Sequence, residues 1–282
     1  MNNLENLSLI AAMVVLGLCL IFSLFSLFTK KALVKTVAGG NPETSSERAF
    51  TPMGRIWVIV AGLALAFITI SIISRVIASG HGPFSNMYEF SVAFSWGIVV
   101  MSLFFLWRYH AMSLGTIGVV MALGLLIFAN SLPSRIVPLV PALQQSVLLS
   151  VHVASAVIAY GALAVGFSLA VIYLVVQHRR TSQPETLDNI SYHAVIVGFP
   201  FLTLTIVLGA IWANIAWGRP WGWDPKETAS LVTWLIFAAY LHARVLRGWK
   251  GTRSALLLVI GFIAVLFTFF GNYIFSGLHS YQ

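Results

Sequence analysis

Eight apolar runs of roughly 20 residues dominate the chain, the length a helix needs to cross a hydrocarbon layer. They lie near residues 7–29, 54–79, 89–107, 112–131, 147–177, 191–215, 227–245 and 254–276. In lipid the backbone polar groups must be satisfied internally, so runs of this length become helices. The expected fold is an all-α integral membrane protein, a bundle of about eight transmembrane helices forming a single polytopic domain over 1–282. The fifth run is long enough to project from the membrane at one end. A soluble globular domain is excluded, since 59% of the residues are hydrophobic and 9% charged.

The basic residues set the expected orientation. Lys30, Lys31, Lys35, Arg48, Arg55, Arg108, Arg179, Arg180, Arg244, Arg247, Lys250 and Arg253 fall after the odd-numbered runs, whereas Arg75, Arg135, Arg219 and Lys226 fall on the opposite side. An excess of lysine and arginine marks the cytoplasmic side, so both termini are expected outside. The same distribution explains the net charge of +8 and excludes nucleic acid as a partner, because the charges lie in short loops between spans. Residues 30–53 then read as a polar cytoplasmic linker, and Gln177–Asn189 as a second polar connector. The lone Cys19 cannot build a disulfide framework or a cysteine metal site. No basic n-region or small-residue cleavage site precedes the first run, which reads as a retained span.

The stretch Trp217-Gly-Arg-Pro-Trp221-Gly-Trp223-Asp224-Pro-Lys-Glu227-Thr sits between two runs on the outer side. Its indoles offer flat, polarizable faces, and its glycines let the backbone approach whatever lies on them. Part of it has a structural reading: Asp224, Pro225 and Glu227 match the N-cap, N1 and N3 positions of a helix start. Trp217 and Trp221 also suit a membrane–water boundary. Capping does not account for the aromatic shelf.

The orientation sorts the histidines. His81, His152 and His279 fall on the outer side, and His110, His178 and His193 near the inner loops. His242 lies late in the seventh run, about 24 Å from Lys226 toward the inner side at ~1.5 Å per residue. An ionisable group at such depth is costly and usually functional, although a histidine beside Arg244 also suits a boundary. His152, Ser155, Ala159, Ala162, Gly166 and Ala170 share one narrow helical stripe. Such a stripe serves either close helix packing or room for a bulky flat ligand.

Of the outer histidines, His152 and His279, flanking an aromatic shelf, suit a planar macrocycle whose metal takes two axial imidazoles. Haem b meets those demands, with Arg219, Lys226, Arg135 or Arg75 available to its propionates. Zinc does not, for want of an HExxH or a closely spaced Cys/His set. The chain also has no phosphate-binding glycine loop and no Cys-x-x-Cys-His sequence, so it does not carry haem covalently in the c-type manner.

The tryptophan stretch, followed by Thr233-Trp and by Ala239-Tyr-Leu-His-Ala-Arg244, resembles the WWD signature of haem-handling membrane proteins. Pro83-Phe-Ser-Asn-Met-Tyr-Glu89 and the terminal Gly277-Leu-His-Ser-Tyr281 resemble one branch, the CcsA-type cytochrome c biogenesis proteins of the two-component System II synthase. The resemblance covers the chain from about His81 onward; the first run matches little. It implies that His152 and His279 ligate the iron of an outer haem beside residues 216–227, an extracytoplasmic haem-binding segment including Trp217, Trp221, Trp223 and Asp224. It implies that His242 ligates an inner haem whose second ligand comes from a CcsB/ResB-type partner subunit. It further implies delivery of reduced haem to the Cys-x-x-Cys-His thiols of apocytochrome c, thioredoxin-like thiol reductants as further partners, and a cell-membrane or thylakoid location. Ala229 departs from the family, many members of which carry an aromatic residue there.

Two other classes predict different patterns. A b-type haem electron-transfer subunit needs paired intramembrane histidines at matched depth, and His242 has no evident partner in the chain. A solute or haem transporter without synthase activity would show discontinuous helices at mid-membrane. The break from Gly218 to Pro225 lies outside the apolar runs.

Overall fold

The computed structural model describes residues 3–28, 52–109, 114–136, 139, 141–144, 146–177 and 184–274. They form helices α1 (Asn3–Phe28), α2 (Pro52–Ser79), α3 (Met87–Tyr109), α4 (Leu114–Asn130), α5 (Ser146–Val176), α6 (Pro184–Trp217), α7 (Pro225–Leu246) and α8 (Thr252–Ile274), with a 3-10 turn at Pro141–Gln144. No strand occurs among the described residues. Seven of the helices are long and apolar enough to cross a membrane, and α4 is a shorter apolar helix of 17 residues. The protein is an all-α integral membrane bundle, as the apolar runs predict.

Two boundaries differ from the sequence reading. The longest helix is α6, at 34 residues, rather than α5, at 31. Pro184 opens it inside the stretch expected to be a connector up to Asn189, since proline at a first turn has no N–H to leave unpaired. The expected linker 30–53 lies outside the described residues except for Pro52 and Met53, which open α2.

Successive helices run up and down. At one end, the connectors after α2, α4 and α6 meet: Ser85, Leu143 and Trp221 line one cavity there. Glu5 of α1 and Phe269 of α8 reach the same end, through Tyr88 and that cavity respectively. At the opposite end Thr252 Oγ1 donates to Gln177 Oε1 at 2.6 Å, linking the start of α8 to the end of α5. The tightest crossing joins α3 to α5. A Cβ on Gly97 would stand 2.7 Å from the Val157 carbonyl oxygen, and one on Gly161 would stand 2.6 Å from that of Gly97. Only glycine permits this approach, the means by which membrane helices gain packing without a hydrophobic drive.

Buried charges tie both ends. Arg75 Nε pairs with Glu89 Oε1 at 2.8 Å, its Nη1 donates to the Ser134 carbonyl at 2.7 Å and lies 3.6 Å from Glu5 Oε1. At the other end Arg244 Nη1 meets Asp188 Oδ2 at 2.6 Å, while Gly251 N–H donates to Asp188 Oδ1 at 3.1 Å. Three indoles bridge neighbouring helices in the same manner, each N–H donating to a hydroxyl at 2.9 Å: Trp57 to Ser23, Trp96 to Thr69 and Trp234 to Thr203. In lipid these donors would otherwise go unpaired.

Candidate functional site

A cavity of about 1290 Å3, its open mouth included, lies at the end where the three connectors meet. α5 contributes Leu149, His152, Val153, Ala156 and Tyr160; α6 contributes Thr205, Gly209 and Trp212. Phe90 and Phe94 come from α3, Phe269 from α8, Trp221 from the α6–α7 connector, and Lys226, Glu227 and Ser230 from the first turns of α7. The rings are packed against one another, Phe94 stacking on Tyr160 at 5.2 Å and meeting Phe269 edge-on at 5.1 Å.

His152 is held in one orientation. Its Nδ1 lies 2.8 Å from the Thr205 carbonyl oxygen. A carbonyl only accepts, so Nδ1 carries the proton, and in the neutral ring the Nε2 lone pair is the metal-ligating one. α6 leaves room for the ring because residue 209 is glycine, where a Cβ would stand 2.9 Å from His152 Cε1. Ser155 Oγ lies 2.9 Å from Thr205 Oγ1 and donates to the His152 carbonyl at 2.6 Å, fixing the same turn. The small-residue stripe that runs on from His152 is filled by helix packing. Ala159, Ala162 and Ala170 are buried, and a Cβ on Gly166 would meet Ala194 Cβ at 3.4 Å. The cavity lies instead on the flank marked by Leu149, Val153, Ala156 and Tyr160.

The tryptophans divide their roles. Trp221 lines the cavity; Trp217 and Trp223 do not. Trp217 packs edge-on at 4.8 Å against buried Trp212, which does, and Trp223 packs edge-on at 5.9 Å against Trp221. Trp223 is 70% exposed and sits at φ 57, a left-handed conformation that a bulky side chain rarely adopts. Asp224 caps α7 by accepting from Lys226 N–H, and Glu227 Oε2 accepts from the Gly222 and Asp224 amides at 2.7 and 3.1 Å. This is the capping box that the sequence spacing suggests, and Asp224 is outside the cavity lining.

Of the cations named for propionates, Lys226 alone lines the cavity. Arg75 is committed to Glu89, and Arg219 packs over Gly222, where a Cβ would stand 3.1 Å from its Nε. Lys226 Nζ lies 5.4 Å from the Phe90 ring centre, a cation–π contact, and no ion pair among the described residues includes it. His242 is exposed on α7, on the face carrying exposed Val232, Leu235 and Val245. It is not part of the cavity. His81 also lies off it, with Nδ1 2.8 Å from the Gly82 carbonyl oxygen. His279 falls outside the described residues. Trp212, Tyr160, Phe94 and Phe269 are cavity residues that the sequence reading did not single out. One signal was present, since Thr205, Gly209 and Trp212 recur at helical spacing on one face of α6.

An imidazole with a fixed Nε2 lone pair, aromatic walls and one lysine fit a flat, largely apolar, metal-centred ligand bearing carboxylates. Fold and site thus define a class, the polytopic membrane proteins with an aromatic-walled cavity at one end of the helix bundle. The chain belongs to the cytochrome C assembly protein family, which matches residues 84–279. It is 40% identical over 250 residues to the cytochrome c biogenesis protein CcsA of Guillardia theta, covering 77% of this chain and 83% of that one. The CcsA proteins of Microcystis aeruginosa and Chlamydomonas reinhardtii are 35% and 38% identical, covering 81% and 79% of this chain and 87% and 67% of theirs. The solved structure of the cytochrome c haem lyase CcmF superposes with a TM-score of 0.68 at 18% identity, covering 95% of this chain and 46% of that one. The chain therefore spans less than half of that protein, and the likeness is one of fold. Its relatives assign this chain to cytochrome c biogenesis.

Proposed function

We propose that this chain is the haem-handling subunit of a System II cytochrome c synthase, presenting reduced haem b at the outer face of the membrane for attachment to apocytochrome c. The observation that carries the reading is His152, held by the Thr205 carbonyl in the wall of an aromatic-lined cavity that opens at one end of the bundle. Haem bound there is the substrate: a Cys-x-x-Cys-His thiol adds across a vinyl group, sulfur bonding one carbon and the thiol proton passing to the other, with no net oxidation. The chain's own residues act by positioning. His152 supplies one axial nitrogen, and His279, from the C-terminal tail, the second. Trp221 and Trp212 bear on the ring, buttressed by Trp223 and Trp217, and the packed phenyl rings of Phe94 and Phe269 exclude water. Residues 216–227 form the extracytoplasmic segment that offers the vinyl edge to the thiols. His242, exposed on its helix, is available to an inner haem shared with a CcsB/ResB-type partner, and thioredoxin-like proteins keep the client thiols reduced.

The test is the reduced absorption spectrum and holocytochrome c yield of the complex. His152→Gly loses activity and shows an altered spectrum, both repaired by added imidazole; His242→Ala lowers co-purified haem with partial repair. A His152→Gly complex with an unchanged spectrum and full activity refutes the outer site.

A further inference from the structure

We propose that Lys226 is the anion anchor of the cavity, pairing with a carboxylate of the macrocycle and so fixing which edge of the ligand faces inward. The inference deepens the reading above and rests on it. A lysine is expensive to place against apolar walls unless something compensates its charge. Here no acidic neighbour among the described residues closes an ion pair with it: the Asp224 carboxylate attracts the ammonium from beyond ion-pair distance while accepting from the Lys226 backbone amide, and Glu227 Oε2 accepts from two other amides. The ammonium therefore has the Phe90 face at 5.4 Å and the cavity before it. It also sits at N2 of α7, where the helix dipole adds positive potential.

The other candidate cations cannot serve this cavity, because Arg75 is held by Glu89 and neither Arg135 nor Arg219 lines the wall. The anchor and the axial ligand come from different helices, Lys226 from α7 and His152 from α5. Two attachments of unlike chemistry remove the freedom of a flat ring to turn about the iron–nitrogen bond. The carboxylate-bearing edge is drawn to Lys226, and the vinyl-bearing edge turns away from it. A macrocycle without free carboxylates would keep the nitrogen ligand and the aromatic contacts but lose its orientation.

The experiment is an equilibrium titration of the full chain in lipid nanodiscs with iron protoporphyrin and with its dimethyl ester. A His242→Ala background confines the reading to the outer site. The parent protein should prefer the free acid by about tenfold, the scale of one charge-assisted hydrogen bond. Lys226→Met should abolish the preference by weakening the free acid alone, and Lys226→Arg should keep most of it. Equal affinity of the parent for acid and ester, or an undiminished preference in Lys226→Met, overturns the anchor. If the parent binds neither compound, the haem-binding reading itself fails. A variant that loses both ligands is checked by thermal unfolding, and a lowered Tm is followed by Lys226→Gln, whose polar but uncharged side chain must still lose the preference.

Discussion

Gly209 shows how much can depend on a missing methyl group. Its Cα faces the His152 ring, and a Cβ there would sit 2.9 Å from Cε1 and 3.3 Å from Nδ1. Gly209→Ala should push the imidazole off the Thr205 carbonyl, removing a hydrogen bond worth about 1 kcal/mol and the tautomer it fixes. The expected result is a weakened outer-haem spectrum with α-helical content and inner haem intact, repaired by added imidazole as for His152→Gly. An unchanged spectrum shows that the ring tolerates displacement. The sequence pointed to His152 by its side of the membrane, but not to Gly209, because a glycine in an apolar helix carries no periodic signal of its own. Asp224 and Glu227 were the reverse case. Their spacing announced the capping box, and their carboxylates are indeed bound to amides of the turn.

Among the helices, polar groups act as rivets at the bundle ends. Arg244 and Asp188 join α7 to the first turn of α6, and Arg244 Nη1 also reaches Ser254 Oγ of α8 at 3.2 Å. Removing one partner leaves a buried charge, so Asp188→Asn or Arg244→Met alone should cost about 3–5 kcal/mol. The double replacement should cost less than the sum of the two, as a thermal or detergent unfolding cycle can measure. Additive losses would mean that the pair contributes through other contacts. Arg244 was legible only as one more basic residue near an inner loop. Its partner is 56 residues away, and no local pattern links them. The helices themselves were legible because hydrocarbon dictates their length. The inward faces were not, since spans that are apolar on every side lack the polar contrast that marks a buried stripe in soluble helices.

At the scale of the whole molecule, the chain alternates direction so that the start of α1 and the end of α8 lie at the cavity end. Reporter fusions after Arg180 and after Gln282 should therefore report opposite sides of the membrane, with Gln282 outside. Fusions reporting the same side would reverse or break the alternation on which the site's sidedness depends. The family match begins at residue 84, after α1 and α2. Yet Glu5 of α1 accepts from Tyr88 Oη at 2.9 Å and Arg75 of α2 pairs with Glu89, so both early helices brace the start of α3. Ser85 of that same turn donates to Glu89 Oε2 at 2.8 Å and lines the cavity.

Thr268 and Phe269, near the end of the last helix, close a wall whose other side begins at Ser85. A ribosome delivers those two sides far apart in time. Until α8 has left the translocon, the histidine-bearing wall faces lipid or an open cleft, and any macrocycle that enters finds one side missing. On the proposed haem-handling role, loading would follow near-complete synthesis, once α8 has closed the wall. A chain arrested after Leu246 should insert its earlier helices and retain no haem at the outer site, whereas one carried through α8 should regain the cavity. Retention by the arrested chain would show that the cavity forms without α8.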